Sequence, residues 1–140
     1  MFTRTLGKSG IEVNAMGLGC WAIGGPWTLD GRQVGWSKVD DNESVRAIHK
    51  ALDLGIDFFD TAACYGAGHS ERILGQAVAG RRDRVIIATK FGHLVYEEKK
   101  MVTGKTGDVT QHLRRFCKIA CDDWAPITST STNFTSVNIL

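Results

Sequence analysis

The chain has 140 residues, with 17 Lys and Arg against 15 Asp and Glu, and a formal net charge of +2. That balance argues against a nucleic-acid partner or an acidic-membrane partner, and no apolar run approaches the roughly 18 residues that a membrane helix needs. The 4 cysteines form no CxxC pair and read as buried thiols of a cytoplasmic protein, and the N-terminus lacks a charged-then-apolar leader pattern.

From Phe2 to Val13, apolar and polar residues alternate around Gly7-Lys8-Ser9-Gly10, which predicts a β-hairpin. A buried strand follows over 16–19. Its glycines suit tight packing or the close approach of a ligand near Gly19, Cys20 and Trp21. Residues 21–38 read as a long irregular loop, a kind of segment that is often functional. Trp21 and Trp27 either wall a pocket there or cover the end of the fold; Trp36 covers it. Asp40 precedes a helix over 41–54, with Glu43 three residues on as in a capping box. Val45, Ile48, Ala51 and Leu52 form its apolar stripe, and Gly55 fits its stop. His49 lies beside that stripe and reads as structural.

The stretch Gly55 to Gly75 is the centre of the chain. Ile56, Phe58 and Phe59 suit a buried strand over 56–60 that ends on a carboxylate, Asp60. A loop of small residues with Cys64 and Tyr65 follows. Ser70-Glu71 then opens a helix over 70–79, with Ile73, Leu74 and Val78 on one face. After a basic turn, a second buried strand over 85–89 ends at Lys90. Phe91-Gly92-His93 begins another loop, and the charged residues 97–108 read as mobile. Alternating strand and helix signals predict a parallel α/β sheet, and such folds place their active sites at the carboxyl ends of the strands. Asp60, Tyr65 and Lys90 all fall there. Singly, each has an ordinary structural reading: a strand-end cap, a packing aromatic, a surface cation. At two strand ends and at these spacings, they point jointly to a site.

Gly55-Ile56-Asp57-Phe58-Phe59-Asp60-Thr61-Ala62, Tyr65-Gly66, Ser70-Glu71 with Leu74-Gly75, and Val85-Ile86-Ile87-Ala88-Thr89-Lys90 together resemble the signature of the aldo-keto reductases. The resemblance implies the N-terminal portion of a (β/α)8 TIM barrel preceded by a β-hairpin. It also implies an NADPH-dependent oxidoreductase that reduces a small-molecule aldehyde or ketone. Asp60, Tyr65 and Lys90 match three of the family's four catalytic residues. The fourth, a histidine, belongs to the following strand, so His93 reads as a loop residue. Tyr65 would supply the proton, although an unperturbed phenol has a pKa of about 10. The Lys90 ammonium would stabilise the phenolate, and Asp60 would hold Lys90 by a charge-assisted hydrogen bond. Gly19, Cys20, Trp21 and Asp60 would line the cofactor. The alternative is a non-catalytic binding or regulatory subunit of the same fold, like the potassium-channel β subunits.

A complete barrel takes roughly 250 residues, so this length supplies three or four strands and leaves two open sheet edges and an uncovered inner face. Most of the family's cofactor contacts come from later strands. The chain therefore divides into 1–112, the N-terminal part of the barrel, and 113–140, a non-native or disordered tail. From Phe116 the pattern dissolves, and the run of Thr and Ser over 128–132 has no apolar face. One reading frame over, residues 119–136 can encode a helix end and an alternating strand. Trp124 and Ala125 give a glycine codon there, and Phe134 and Thr135 can give a histidine codon. An interrupted frame is the expected cause.

Overall fold

The computed structural model describes residues 2–36 and 38–105. Residues 106–140, which include the expected tail, lie outside the described residues. In chain order the elements are β1 (Thr3–Thr5), β2 (Glu12–Asn14), β3 (Gly17–Gly19), β4 (Pro26–Leu29), β5 (Arg32–Gly35), α1 (Asp41–Asp53), β6 (Phe58–Asp60), α2 (His69–Ala77), β7 (Ile86–Ala88), β8 (His93–Tyr96) and β9 (Met101–Lys105).

β1 and β2 form the expected antiparallel hairpin. Asn14 fastens it to the chain entering β6. Its N–H donates to the Asp57 carboxylate at 3.0 Å, and its side-chain amide donates to the Gly55 carbonyl. The hairpin therefore sits at the amino end of the main sheet. That sheet is parallel, in the order β3-β6-β7, with Gly19, Asp60 and Ala88 side by side.

Strand alternation gives this sheet two faces. Leu18, Phe59 and Ile87 point towards the helices and pack with Ile48 and Ala51 of α1 and Ile73 and Leu74 of α2. Gly17, Gly19, Phe58 and Asp60 line the opposite face, where a cavity of about 360 Å³ opens above Arg4 and Asn14 of the hairpin. In a closed barrel this concave side is the lumen. Among the described residues, β3 and β7 are the edges of the sheet.

Two segments differ from the sequence expectation. Residues 21–38 are not an irregular loop. After a short 3-10 turn at Ala22–Gly24, β4 and β5 make a hairpin about Asp30 and Gly31, whose φ values of 47° and 79° suit a tight primed turn. Residues 91–105 are also ordered. β8 pairs antiparallel with β9, and β9 pairs parallel with β4, which builds a four-stranded sheet in the order β5-β4-β9-β8. His93 is thus the first residue of β8, and the charged stretch contains a strand. The two inserts satisfy each other's backbone groups and bury Trp27, Ala67 and Val102 in a second small core.

The helix starts also differ in detail. Asp40 caps α1, accepting from the N–H groups of Asn42 and Glu43 at 2.8 and 3.2 Å. Glu43 does not complete a capping box; it pairs with Arg46. α2 begins at His69 behind Gly68, so Ser70 lies within the first turn and is fully buried. His49 is structural as expected: its ring bonds the Ala77 carbonyl at 2.8 Å and joins α1 to α2.

Candidate functional site

β6 carries Asp60 to the carboxyl end of the sheet, the turn after it carries Tyr65, and Lys90 follows β7. Lys90 Nζ donates to the two Asp60 carboxylate oxygens at 2.7 and 2.9 Å and to the Thr61 carbonyl at 2.8 Å, and reaches the Tyr65 hydroxyl at 3.4 Å. The ammonium stands 5.1 Å from the centre of the Tyr65 ring, within cation–π range. The side chains of Lys90 and Asp60 are 40% and 44% exposed, so a small molecule can reach them. The structure thus brings together all three residues singled out at the strand ends.

Burial by itself lowers the Lys90 pKa. The hydrogen bonds to Asp60 and Tyr65 and the coulombic attraction of both groups outweigh it, and the pKa is raised above the ordinary lysine value. A folded pKa above the unfolded one has a definite sign. The stabilisation is complete below the unfolded value of about 10.4 and fades as pH rises through the folded value. Denaturation midpoints of the chain and of Lys90→Met, compared from about pH 8 to about pH 11, should therefore differ by a gap that begins to narrow at the alkaline end. The gap should be modest, because the ammonium is partly solvated. A gap independent of pH would mean that Lys90 contributes packing alone.

Gly19 stands opposite Asp60, and a Cβ placed on it would meet nothing within 4 Å. This open space suits a ligand lying close to the backbone. Trp21 is 42% exposed and meets Trp36 edge-to-face, with ring centres 6.3 Å apart. Trp27 belongs to the second core and covers that end of the fold.

The Cys20 side chain turns away from the open face beside Asp60. Its side chain is fully buried in the main core and its thiol donates to the Leu18 carbonyl. Its N–H donates to the Asp60 carbonyl, and its own carbonyl accepts from Ser70 Oγ. Burial, with the Asp60 charge adding to it, pushes the thiol up to about 12. Iodoacetamide at about pH 8 should therefore leave Cys20 unmodified in the native chain and alkylate it in denaturant, as peptide mass mapping would show. Native labelling would contradict this burial.

Sequence reasoning missed a buried polar layer beneath these groups. Thr89 Oγ1 donates to Glu71 Oε1 at 2.6 Å, and the Thr61 and Ser70 hydroxyls lie 2.9 Å apart. The signal was present: Ser70 and Glu71 precede Leu74 by four and three residues, so the apolar stripe of α2 already placed them inward. Among the described residues, no group of three or more His, Cys, Asp or Glu could hold a metal ion, and no helix is long and apolar enough to cross a membrane.

A parallel β/α sheet floored by a hairpin, with an Asp–Lys–Tyr set at the carboxyl ends of its strands, is the architecture of part of a (β/α)8 barrel. The Aldo/keto reductase family profile matches residues 15–120. The chain is 44% identical over 88 residues to the aldo-keto reductase YhdN of Bacillus subtilis, a match covering 61% of this chain and 24% of that one. It is 39% identical over 106 residues to the NADH-specific methylglyoxal reductase of Escherichia coli, covering 74% and 30%. Among solved structures, an aldo-keto reductase of Bacillus halodurans in its holo form aligns with a TM-score of 0.70 at 28% identity, over 89% of this chain and 36% of that one. The chain belongs to the aldo/keto reductase family, and it spans about a quarter to a third of the length of these relatives.

Proposed function

We propose that this chain carries the acid–base centre of an NADPH-dependent reductase that converts a small aldehyde or ketone to an alcohol in the cytoplasm. The observation that carries the reading is the Lys90 ammonium, held by Asp60 and directed at the Tyr65 hydroxyl. Tyr65 donates its proton to the carbonyl oxygen as negative charge develops there. Lys90 stabilises the phenolate left behind, and Asp60 keeps Lys90 charged and in place. The open space at Gly19 beside Asp60 fits the reacting end of a nicotinamide cofactor, which when bound supplies the hydride. NADPH is the proposed form, although the E. coli relative is by name NADH-specific.

The test is a chimaera in which residues 2–105 replace the matching segment of the B. subtilis relative. A folded chimaera should oxidise a nicotinamide cofactor in an aldehyde-dependent manner. A folded chimaera inactive with both NADPH and NADH would overturn the reading. The 140-residue chain by itself should show no such turnover. The resemblance assigns the fourth catalytic residue and most cofactor contacts to later strands, and this chain spans only about a quarter to a third of its relatives' length.

A further inference from the structure

A line of buried hydroxyls runs behind the reacting groups. Ser70 is fully buried, and its single hydroxyl proton is donated to the Cys20 carbonyl at 2.7 Å. The Thr61 hydroxyl, 2.9 Å from Ser70 Oγ, must then be the donor between those two. The relay runs from Thr61 to Ser70 to the Cys20 carbonyl, and it clamps the ends of β6, α2 and β3 together. From the other side, the Thr61 N–H is pinned to the Ala88 carbonyl of β7 at 2.8 Å. The Thr61 carbonyl therefore has little freedom.

That carbonyl is one of the acceptors of Lys90. An ammonium group has three protons at tetrahedral angles. One is shared between the two Asp60 carboxylate oxygens, at 2.7 and 2.9 Å, and one goes to the Thr61 carbonyl at 2.8 Å. With two so placed, the third is left for the Tyr65 oxygen, 3.4 Å away. Without the Thr61 carbonyl, a second proton could turn to Asp60 Oδ2, 2.9 Å away, in place of Tyr65.

We propose that Thr61 and Ser70 are positioning residues whose hydroxyl relay fixes the Thr61 carbonyl and so aims the Lys90 ammonium at Tyr65. A packing role alone needs no hydroxyl at either place. Burying one costs its hydration, and the return is about one hydrogen bond. The purpose of the relay rests on the acid–base reading above, but its measurement does not.

The experiment uses the full 140-residue chain labelled with ¹⁵N-lysine and follows exchange of lysine ammonium protons with water at mildly acidic pH and low temperature. One protected resonance is expected, assigned to Lys90 by its loss in Lys90→Met. Ser70→Ala and Thr61→Val should each speed its exchange roughly tenfold, as the loss of one charge-assisted hydrogen bond predicts. Thr61→Ser, which keeps the hydroxyl, should stay within about twofold of the parent. A purely structural role predicts the reverse order, because Val preserves the shape of Thr while Ser removes a buried methyl. Should Ser70→Ala not fold, the two Thr61 variants decide. Parental exchange in folded Thr61→Val, or no protected Lys90 resonance in the parent, would overturn the proposal. A protected Lys90 together with full reductase activity of a Tyr65→Phe chimaera would sink the acid–base reading and leave this one standing.

Discussion

Tyr65→Phe in the chimaeric reductase should lower kcat by roughly 10²-fold or more, with kcat/KM falling in parallel and KM little changed. The substitution removes one oxygen and leaves the ring. The aromatic face 5.1 Å from the Lys90 ammonium is retained, so local packing and the Lys90–Asp60 pair should persist. What is lost is the proton donor, an interaction that matters in the transition state and not in substrate binding, and such losses appear in kcat. Lys90→Met should give a similar loss by a different route, leaving the phenol in place without the cation that stabilises its conjugate base. Steady-state kinetics with NADPH and a small aldehyde would check both. Unchanged turnover in Tyr65→Phe would mean that the proton comes from elsewhere.

The parts of this molecule that could be read in advance are those written in local patterns. β6 and β7 are short apolar runs because both faces of a parallel sheet are meant to be covered. α1 and α2 repeat their apolar residues at helical spacing, and Ile48, Ile73 and Leu74 are buried as that spacing requires. Asp60 and Lys90 were legible as polar residues that end such runs. The accessory sheet was not, because the pairing that makes it joins Thr28 to Met101 across the whole central stretch. Its β4–β5 hairpin did carry a usable mark, Asp30-Gly31 between Trp27-Thr28-Leu29 and Val34. The inward packing of the Cys20 side chain was legible in strand parity. Leu18 and Cys20 point to the same side, towards the helices, while Gly17 and Gly19 face the lumen. The inward place of Ser70 was legible in the α2 stripe, but the proposed role of Thr61 and Ser70 was not, because it acts through the orientation of one carbonyl, which residue types do not reveal.

Gly66→Ala should destabilise the chain by about 2–5 kcal/mol, the sum of about 1–2 kcal/mol for a side chain in left-handed backbone and about 1–3 kcal/mol for overpacking. Gly66 has a φ of 64°, and a Cβ built on it would come within 2.0 Å of the Gly24 carbonyl oxygen and 2.6 Å of its carbon. Neither atom is the end of a flexible side chain. The contact is mutual, since a Cβ on Gly24 would meet the Gly66 nitrogen and the Tyr65 carbonyl carbon at 2.8 Å. The two backbones lie against each other, and the 3-10 turn after β3 is the wall that holds the Tyr65 turn over the sheet. Relief of the clash must move residue 66, and Tyr65 is its neighbour, so reductase activity in the chimaera should fall together with stability. Gly7→Ala supplies the control. Its φ of 57° carries the same conformational penalty, but a Cβ there meets nothing within 4 Å. Denaturant unfolding of the two variants should show Gly7→Ala costing only the backbone share, about 1–2 kcal/mol. Equal costs for the two would mean that the Gly24–Gly66 contact does not hold the Tyr65 turn, and that the placement of Tyr65 has some other origin.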